Sequence, residues 1–175
     1  MPVVAKPVST KPVPTKPVAN ASRRLVRVGR ATTGLGLFAV KPIAKRAYIV
    51  TYRGKRIPTA EAHRREREAS AKYMFEINRH WTIDGTSRRN LGRYINHACR
   101  PNCEAVLRSG QIVFVALHDI APGEEITLDY GEEYFDLFIA PLGCRCAACA
   151  EKAAKIYAKS ASAKTVHVKT ARRKR

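Results

Sequence analysis

The run GRYINHACRPNC at residues 92–103 sets Asn96 beside His97, with Cys99 and the pair Pro101-Asn102 close behind. From its residues alone it reads in two ways. One is a polar loop holding a satisfied asparagine and a surface histidine. The other pairs Cys99 or Cys103 with His97 as a thiol nucleophile, although no third, orienting group stands nearby. About thirty residues on, EEITLDYG at 124–131 is an apolar strand with Asp129 and Tyr130 at its end. A strand tyrosine usually buries its ring and sends its hydroxyl to a backbone partner. Upstream, TGLGLFA at 33–39 contains Gly34-Leu35-Gly36 but lacks the third glycine and following helix of a dinucleotide fingerprint. It reads as a tight turn whose bare backbone admits close approach of a ligand. Downstream, GCRCAAC at 143–149 crowds three of the five cysteines together, which favours an intracellular metal site over a disulfide framework.

The segments between these runs read as short strands separated by turns. Strands are expected over 25–29, 36–40, 48–52, 74–77, 81–84, 105–108, 111–117 and 126–130. Ser109-Gly110 has the chemistry of a two-residue hairpin turn, and Pro122-Gly123 turns the chain before the last strand. Thr59, following Pro58 and preceding Glu61, is placed to cap a helix from Ala60 to about Lys72. One solid helix and about eight strands predict a β-rich α+β domain without βαβ alternation. A chain of 175 residues is long enough for one real core, burying roughly two-thirds of its unfolded surface.

Taken together, the runs resemble the SET-domain protein lysine methyltransferases. The likeness extends from about Arg27 to Cys149. It rests on Gly34-Leu35-Gly36, Tyr52-Arg53-Gly54, the stretch from Arg93 to Asn102, Asp129-Tyr130, and the late cysteines Cys144, Cys146 and Cys149, in that order. The resemblance implies a SET fold of small curved sheets with a C-terminal pseudoknot, in which the Asp-Tyr strand tucks beneath the Asn96-His97 loop. It further implies that S-adenosyl-L-methionine is held by Gly34, Leu35, Gly36, Leu37, Tyr73, Arg93, Asn96, His97 and Tyr130. The substrate lysine would enter from the opposite face, with Tyr130 as catalytic residue and Tyr73 as a second channel tyrosine. A post-SET zinc would take Cys99, Cys144, Cys146 and Cys149, leaving Cys103 as a small buried residue. Two residues, Ala147-Ala148, precede the last cysteine where the family usually has four. Leu128 stands where the family often has Phe or Tyr, and a smaller side chain there implies room for two or three methyl groups.

The charge adds a second theme. The chain carries 33 Lys+Arg against 14 Asp+Glu, a net charge of +19. Residues 1–22 repeat Lys-Pro-Val at Lys6, Lys11 and Lys16 and contribute +3; residues 151–175, ending KTARRKR, contribute +8. Proline keeps the first tail out of sheets. The divisions expected are therefore a basic tail over 1–22, a SET domain over 23–139, a post-SET segment over 140–155 and a second basic tail over 156–175, with AEKAAKIYAK able to form a helix. Such tails suit sequence-independent, salt-sensitive contact with nucleic acid. The combined expectation is a methyltransferase acting on histones or histone-like basic DNA-associated proteins, inside a cell: in a eukaryotic nucleus, in a bacterial cytoplasm with its nucleoid, or in a target cell after export. The rival is a non-enzymatic architectural protein that binds nucleic acid on a degenerate SET scaffold. No run of about 18 apolar residues exists to span a membrane, and the proline-rich start lacks the apolar stretch of a secretory signal.

Overall fold

The computed structural model describes residues 25–69 and 72–156. The Lys-Pro-Val tail and the end of the basic C-terminal tail lie outside the described residues.

Strands β1 (Val26–Ala31) and β2 (Gly34–Ala39) pair antiparallel from Val26↔Ala39 to Ala31↔Gly34, around a turn at Thr32-Thr33. The expected Gly-Leu-Gly turn is therefore strand, and the turn lies two residues earlier. Val26, Leu37 and Ala39 point into the core. Strand β3 (Tyr48–Thr51) leads to the short β4 (Lys55–Pro58) and helix α1 (Thr59–Ala69). The helix ends short of Lys72. Thr59 turns its hydroxyl toward the neighbouring hairpin, donating to the Asn78 carbonyl at 3.1 Å and meeting Thr82 Oγ1 at 3.0 Å. It fastens the helix to a sheet where a cap on the helix's own amides was expected.

That sheet is built from β4, β5 (Met74–Asn78) and β6 (Trp81–Asp84), with β6 central. Ile57, Met74 and Ala62 form the small core under α1. A second sheet orders β3 against β9 (Gln111–Ala116) and β8 (Cys103–Arg108). Ser109 (φ 47°) and Gly110 (φ 72°) turn the β8–β9 hairpin in the left-handed region, as a tight two-residue connection requires. Strand β9 is apolar throughout its buried length because both faces are covered. Ile112, Phe114 and Ala116 join the main core, while Val113 and Val115 pack with Val106 and Tyr48.

The remaining strands are β7 (Asn96–His97) and β10 (Glu125–Leu128). Strand β10 pairs antiparallel with β2 through Ile126↔Leu37, and parallel with β7 through Thr127↔Asn96 and Leu128↔His97. Among the described residues ten strands thus make three small sheets of four, three and three strands, the β-rich architecture expected. Strand β10 stops at Leu128, two residues earlier than expected. The Leu128 carbonyl takes the Ala98 N–H, Asp129 Oδ1 then takes the Gly131 N–H at 2.9 Å, and Gly131 turns away at φ 89°. Short helical turns follow over 132–142, and helix α2 covers 147–156, the last described residues. At the centre, Tyr52, Phe75 and Phe114 pack edge to tilted face with centroids 5.1–6.2 Å apart.

Candidate functional site

The parallel pairing of β7 with β10 brings Tyr130 against the segment that carries Asn96 and His97. The Tyr130 hydroxyl donates to the Ile95 carbonyl at 2.7 Å, and its main-chain N–H donates to His97 Nδ1 at 3.3 Å. Burial pushes the Tyr130 phenol well above its ordinary pKa, and the neighbouring Tyr134 adds to the shift. Tyr52 and Tyr73 are close enough to act in the same direction. The phenol is therefore a neutral group at any physiological pH, fixed at its oxygen and able to accept a further hydrogen bond. Around it the rings continue: His97–Tyr130 at 5.6 Å, His97–Phe135 at 5.4 Å, Tyr130–Tyr134 at 5.0 Å and Tyr134–Phe138 at 4.9 Å between centroids.

Asn96 faces β2. Its Nδ2 donates to the Leu35 carbonyl at 3.1 Å and to Glu125 Oε1 at 2.7 Å. A side chain at Gly36 would put Cβ 2.5 Å from that carboxylate oxygen and 2.9 Å from Ala31 Cβ, so glycine is required there by close approach. Gly34 is different: it sits at φ 121° with none of the described residues within 4 Å of a would-be Cβ. Leu35 is exposed beside it, whereas Leu37 is fully buried and can offer a ligand only its main chain.

On the other side, Arg93 lays its guanidinium 3.8 Å above the Tyr73 ring and donates to the Thr86 carbonyl. Its Nε is buried without a hydrogen-bond partner among the described residues. Tyr73 holds a left-handed backbone, φ 69°, which is costly for an aromatic residue. Two hydrogen bonds on its carbonyl maintain it, from the Tyr52 hydroxyl at 2.6 Å and the Gly85 N–H at 2.9 Å. The Tyr52 ring passes so close beneath Gly85 that no Cβ fits there, and a Cβ on Gly54 would land on the Asp84 carbonyl. The Tyr52-Arg53-Gly54 run is thus a device for setting Tyr73.

Three supporting residues carry more of the site than their sequence context revealed. Glu125 fixes Asn96. Buried Asn102 accepts the Thr127 N–H at 2.8 Å and donates to the Glu125 carbonyl at 2.8 Å and Glu124 Oε1 at 3.0 Å, bracing β10. Buried Asn90 accepts the Arg53 N–H at 3.0 Å and donates to the Gly85 carbonyl at 3.1 Å. The only sequence signal for any of them was Asn102's place after Pro101.

The cysteines gather as a separate centre beside this one. The sulfurs of Cys99, Cys144, Cys146 and Cys149 lie within 4.8 Å of one another, with Cys99–Cys149 at 3.5 Å and Cys99–Cys144 at 3.7 Å. A tetrahedral zinc with bonds of about 2.3 Å needs sulfurs about 3.8 Å apart, so four thiolates in this arrangement fit the ion. The two-residue spacer is accommodated because α2 begins at Ala147: Cys149 comes round on its first turn to the side where Cys146 enters. Burial alone would raise the Cys146 thiol, but hydrogen bonds from the backbone of Cys99 and Cys149 bring it down to about 7, while burial pushes Cys99 up. His97, whose Nδ1 accepts the Tyr130 N–H, turns Nε2 to Cys99 Sγ at 3.5 Å. One imidazole therefore touches both centres, and Cys99 belongs to the thiol cluster rather than to a Cys–His nucleophile. Cys103 lies apart, 1% exposed on β8, its thiol raised by burial.

Comparison with known proteins places these features in a wider set. The family model described as the SET domain matches residues 34–131, more than half of the chain. A histone-lysine N-methyltransferase of Saccharomyces cerevisiae, named as specific for H3 lysine-4, is 38% identical over 104 residues, covering 54% of this chain and 10% of its own length. Histone-lysine N-methyltransferase 2D of Homo sapiens is 37% identical over 111 residues, 59% of this chain and 2% of that protein. Histone-lysine N-methyltransferase set-2 of Caenorhabditis elegans is 37% identical over 118 residues, 62% of this chain and 8% of that protein. The chain thus spans a tenth or less of the length of these relatives.

Proposed function

The chain belongs to the SET-domain family, and from that premise we propose that it is an S-adenosyl-L-methionine-dependent protein-lysine N-methyltransferase acting on histones or histone-like basic proteins. The observation that carries the reading is the anchoring of Tyr130: a neutral phenol, hydrogen-bonded to Ile95, beside Asn96 and His97 on strands paired from distant parts of the chain. The names of the relatives support the histone substrate. That substrate would set the work of the chain at chromatin or a nucleoid.

The chemistry to be managed is that of an amine. A lysine with pKa about 10.4 is neutral about once in 2,500 at pH 7, a cost of about 4.6 kcal/mol. Half-buried rings such as Tyr130, Tyr134 and Phe135 favour the uncharged form by lowering the local dielectric. The Tyr130 oxygen, already fixed on Ile95, accepts from the amine and aims its lone pair. Asn96, Arg93 and Tyr73, with the main chain of Gly34, Leu35, Gly36 and Leu37, form the wall that holds the donor. When bound, S-adenosyl-L-methionine supplies an electrophilic methyl group on a positively charged sulfur. Arg93 Nε, buried and unpaired among the described residues, and the open backbone at Gly34 are the points where this wall accepts a polar ligand. Zinc on Cys99, Cys144, Cys146 and Cys149 would tie 143–156 beside the tyrosine.

Radiolabelled methyl transfer to a panel of histones and bacterial DNA-binding proteins tests the proposal, with Tyr130→Phe as the control. Label on lysine from the wild-type chain and its loss in the variant is the expected result. A well-folded chain that binds nucleic acid yet labels nothing would support the architectural alternative.

A further inference from the structure

Away from this site, the sheet β4–β6–β5 presents an arginine–tryptophan surface that the methyl-transfer reading leaves unused. Trp81 is 39% exposed at the start of β6, although it is the chain's one tryptophan and a costly side chain to leave in water. Arg56 of β4 sets its guanidinium 4.7 Å from the indole centroid. At the hairpin tip, Arg79 Nε donates to His80 Nε2 at 2.8 Å, and the tip is locked by Asn78 Oδ1, which accepts the main-chain N–H groups of His80 and Trp81. The alternation of the strands separates charge by face. Trp81 and Ile83 point to one side, and Thr82 and Asp84 to the other. The acids go to the α1 side, where Arg65 meets Asp84 at 3.0 Å and His63 Nε2 lies 3.8 Å from Glu76. On the tryptophan side Ile83 packs into the main core, and Arg56 and Trp81 stay exposed, with no ion pair joining Arg56 or Arg79 to a carboxylate among the described residues.

We propose that Trp81, Arg56, Arg79 and His80 form a binding site for single-stranded nucleic acid. Arg56 over one face of the indole and Arg79 at the hairpin tip would contact phosphates, while the other face of the ring stacks an unpaired base. The rigid hairpin holds the ring in place before binding, so little ordering entropy is lost. A net charge of +19 supplies the long-range attraction. A duplex keeps its bases stacked internally and cannot use the ring, and an acidic peptide supplies charge with nothing flat to stack. The single strand is the occupant that uses every part of the patch.

Because Trp81 is the sole tryptophan, its fluorescence reports on this patch and not on the basic tails. The full chain is titrated with a 12-nucleotide single strand, the matching duplex and polyglutamate. The expected result is quenching of the indole and protection from acrylamide by the single strand alone, weakening as salt rises. Arg56→Gln with Arg79→Gln should weaken that quenching about tenfold at unchanged melting temperature, and Trp81→Phe should weaken binding by less, since a ring remains. Binding seen by anisotropy of a labelled strand with no change in the indole emission would overturn the proposal. Equal quenching by duplex or polyglutamate would overturn it too.

Discussion

Asn96 and Glu125, 29 positions apart in the chain, meet amide to carboxylate at 2.7 Å, and the same amide reaches the Leu35 carbonyl. Three strands, β7, β10 and β2, are therefore joined at one side chain, at the place where the proposed donor site begins.

Gly36 is the weak point of that junction. In Gly36→Ala the new methyl meets Glu125 Oε1 at 2.5 Å and Ala31 at 2.9 Å, pressing the carboxylate off Asn96. Stability should fall by about 1–3 kcal/mol, and affinity for S-adenosyl-L-methionine by about tenfold. Denaturant melts and calorimetric titration read the two effects separately. Unchanged affinity would show that Asn96 does not shape the donor site.

Tyr130→Phe removes one hydroxyl and leaves the buried Ile95 carbonyl without that partner. A stability loss of about 1–2 kcal/mol is expected. Methyl transfer should fall by about a hundredfold or more, because on the proposed reading the amine loses the oxygen that orients it. The wild-type rate should climb from pH 7 to 9.5 with deprotonation of the substrate amine. Its rise cannot be assigned to the phenol, whose pKa burial holds far above that range. A pH-independent rate would contradict this division of roles.

Much of this was legible in the residues, and what was not has a common cause. Ser109-Gly110 marked its hairpin because a two-residue turn needs left-handed backbone, and the Met74 and Trp81 strands were apparent from β-branched and aromatic runs between turn residues. The joint order of the motifs pointed to the family. The Gly34-Leu35-Gly36 run read as a turn because glycine's usual local role is a turn. In the fold its second glycine answers a carboxylate from a distant strand. The Tyr52 bond that sets Tyr73, and the brace that Asn102 gives β10, likewise depend on partners no local period reveals. Thr59 had the chemistry of a helix cap, but Asn78 and Thr82 offered it tertiary partners instead.

Gly54 and Gly34 should respond in opposite measure to alanine. At Gly54 the added methyl strikes the Asp84 main chain, which cannot yield without parting β4 from β6, so a loss of about 3 kcal/mol or more is expected. At Gly34 space is open, and only the strain of φ 121° is incurred, on the order of 1–3 kcal/mol. Thermal melts of the two variants compare them directly. An equally mild effect at both positions would show that the sheet gives way where its packing says it does not.

High pH should destabilise the fold ahead of any effect on the surface lysines. Burial raises the Tyr52, Tyr130 and Cys103 pKa values. In the unfolded chain these groups lose protons near pH 8.5 and 10, while in the folded chain they keep them. The unfolded state then binds fewer protons, so stability is full below those unfolded values and falls as pH rises past them, by about 1.4 kcal/mol per pH unit for each group. Urea midpoints measured from pH 8 to 11 should show the decline, and Tyr130→Phe should show a shallower one above pH 10. Identical slopes would mean the phenol is not protected by burial.

Reagent counting tests the thiol centre without an activity assay. Cys103 is sealed in β8, and the other four cysteines converge. With zinc bound, a thiol-reactive dye should modify none of the five in the folded chain. After chelation it should modify four, and after unfolding all five. Metal analysis should give one zinc per chain, and its removal should lower the melting temperature and loosen α2, since Cys146 and Cys149 hold that helix to Cys99. The coupling through His97 adds a sharper expectation. Cys99→Ser should shift the His97 ring resonances, because Nε2 loses its sulfur partner while Nδ1 keeps the Tyr130 N–H. If all five thiols react together in the folded chain, whether or not zinc has been added, the four sulfurs do not form a metal site.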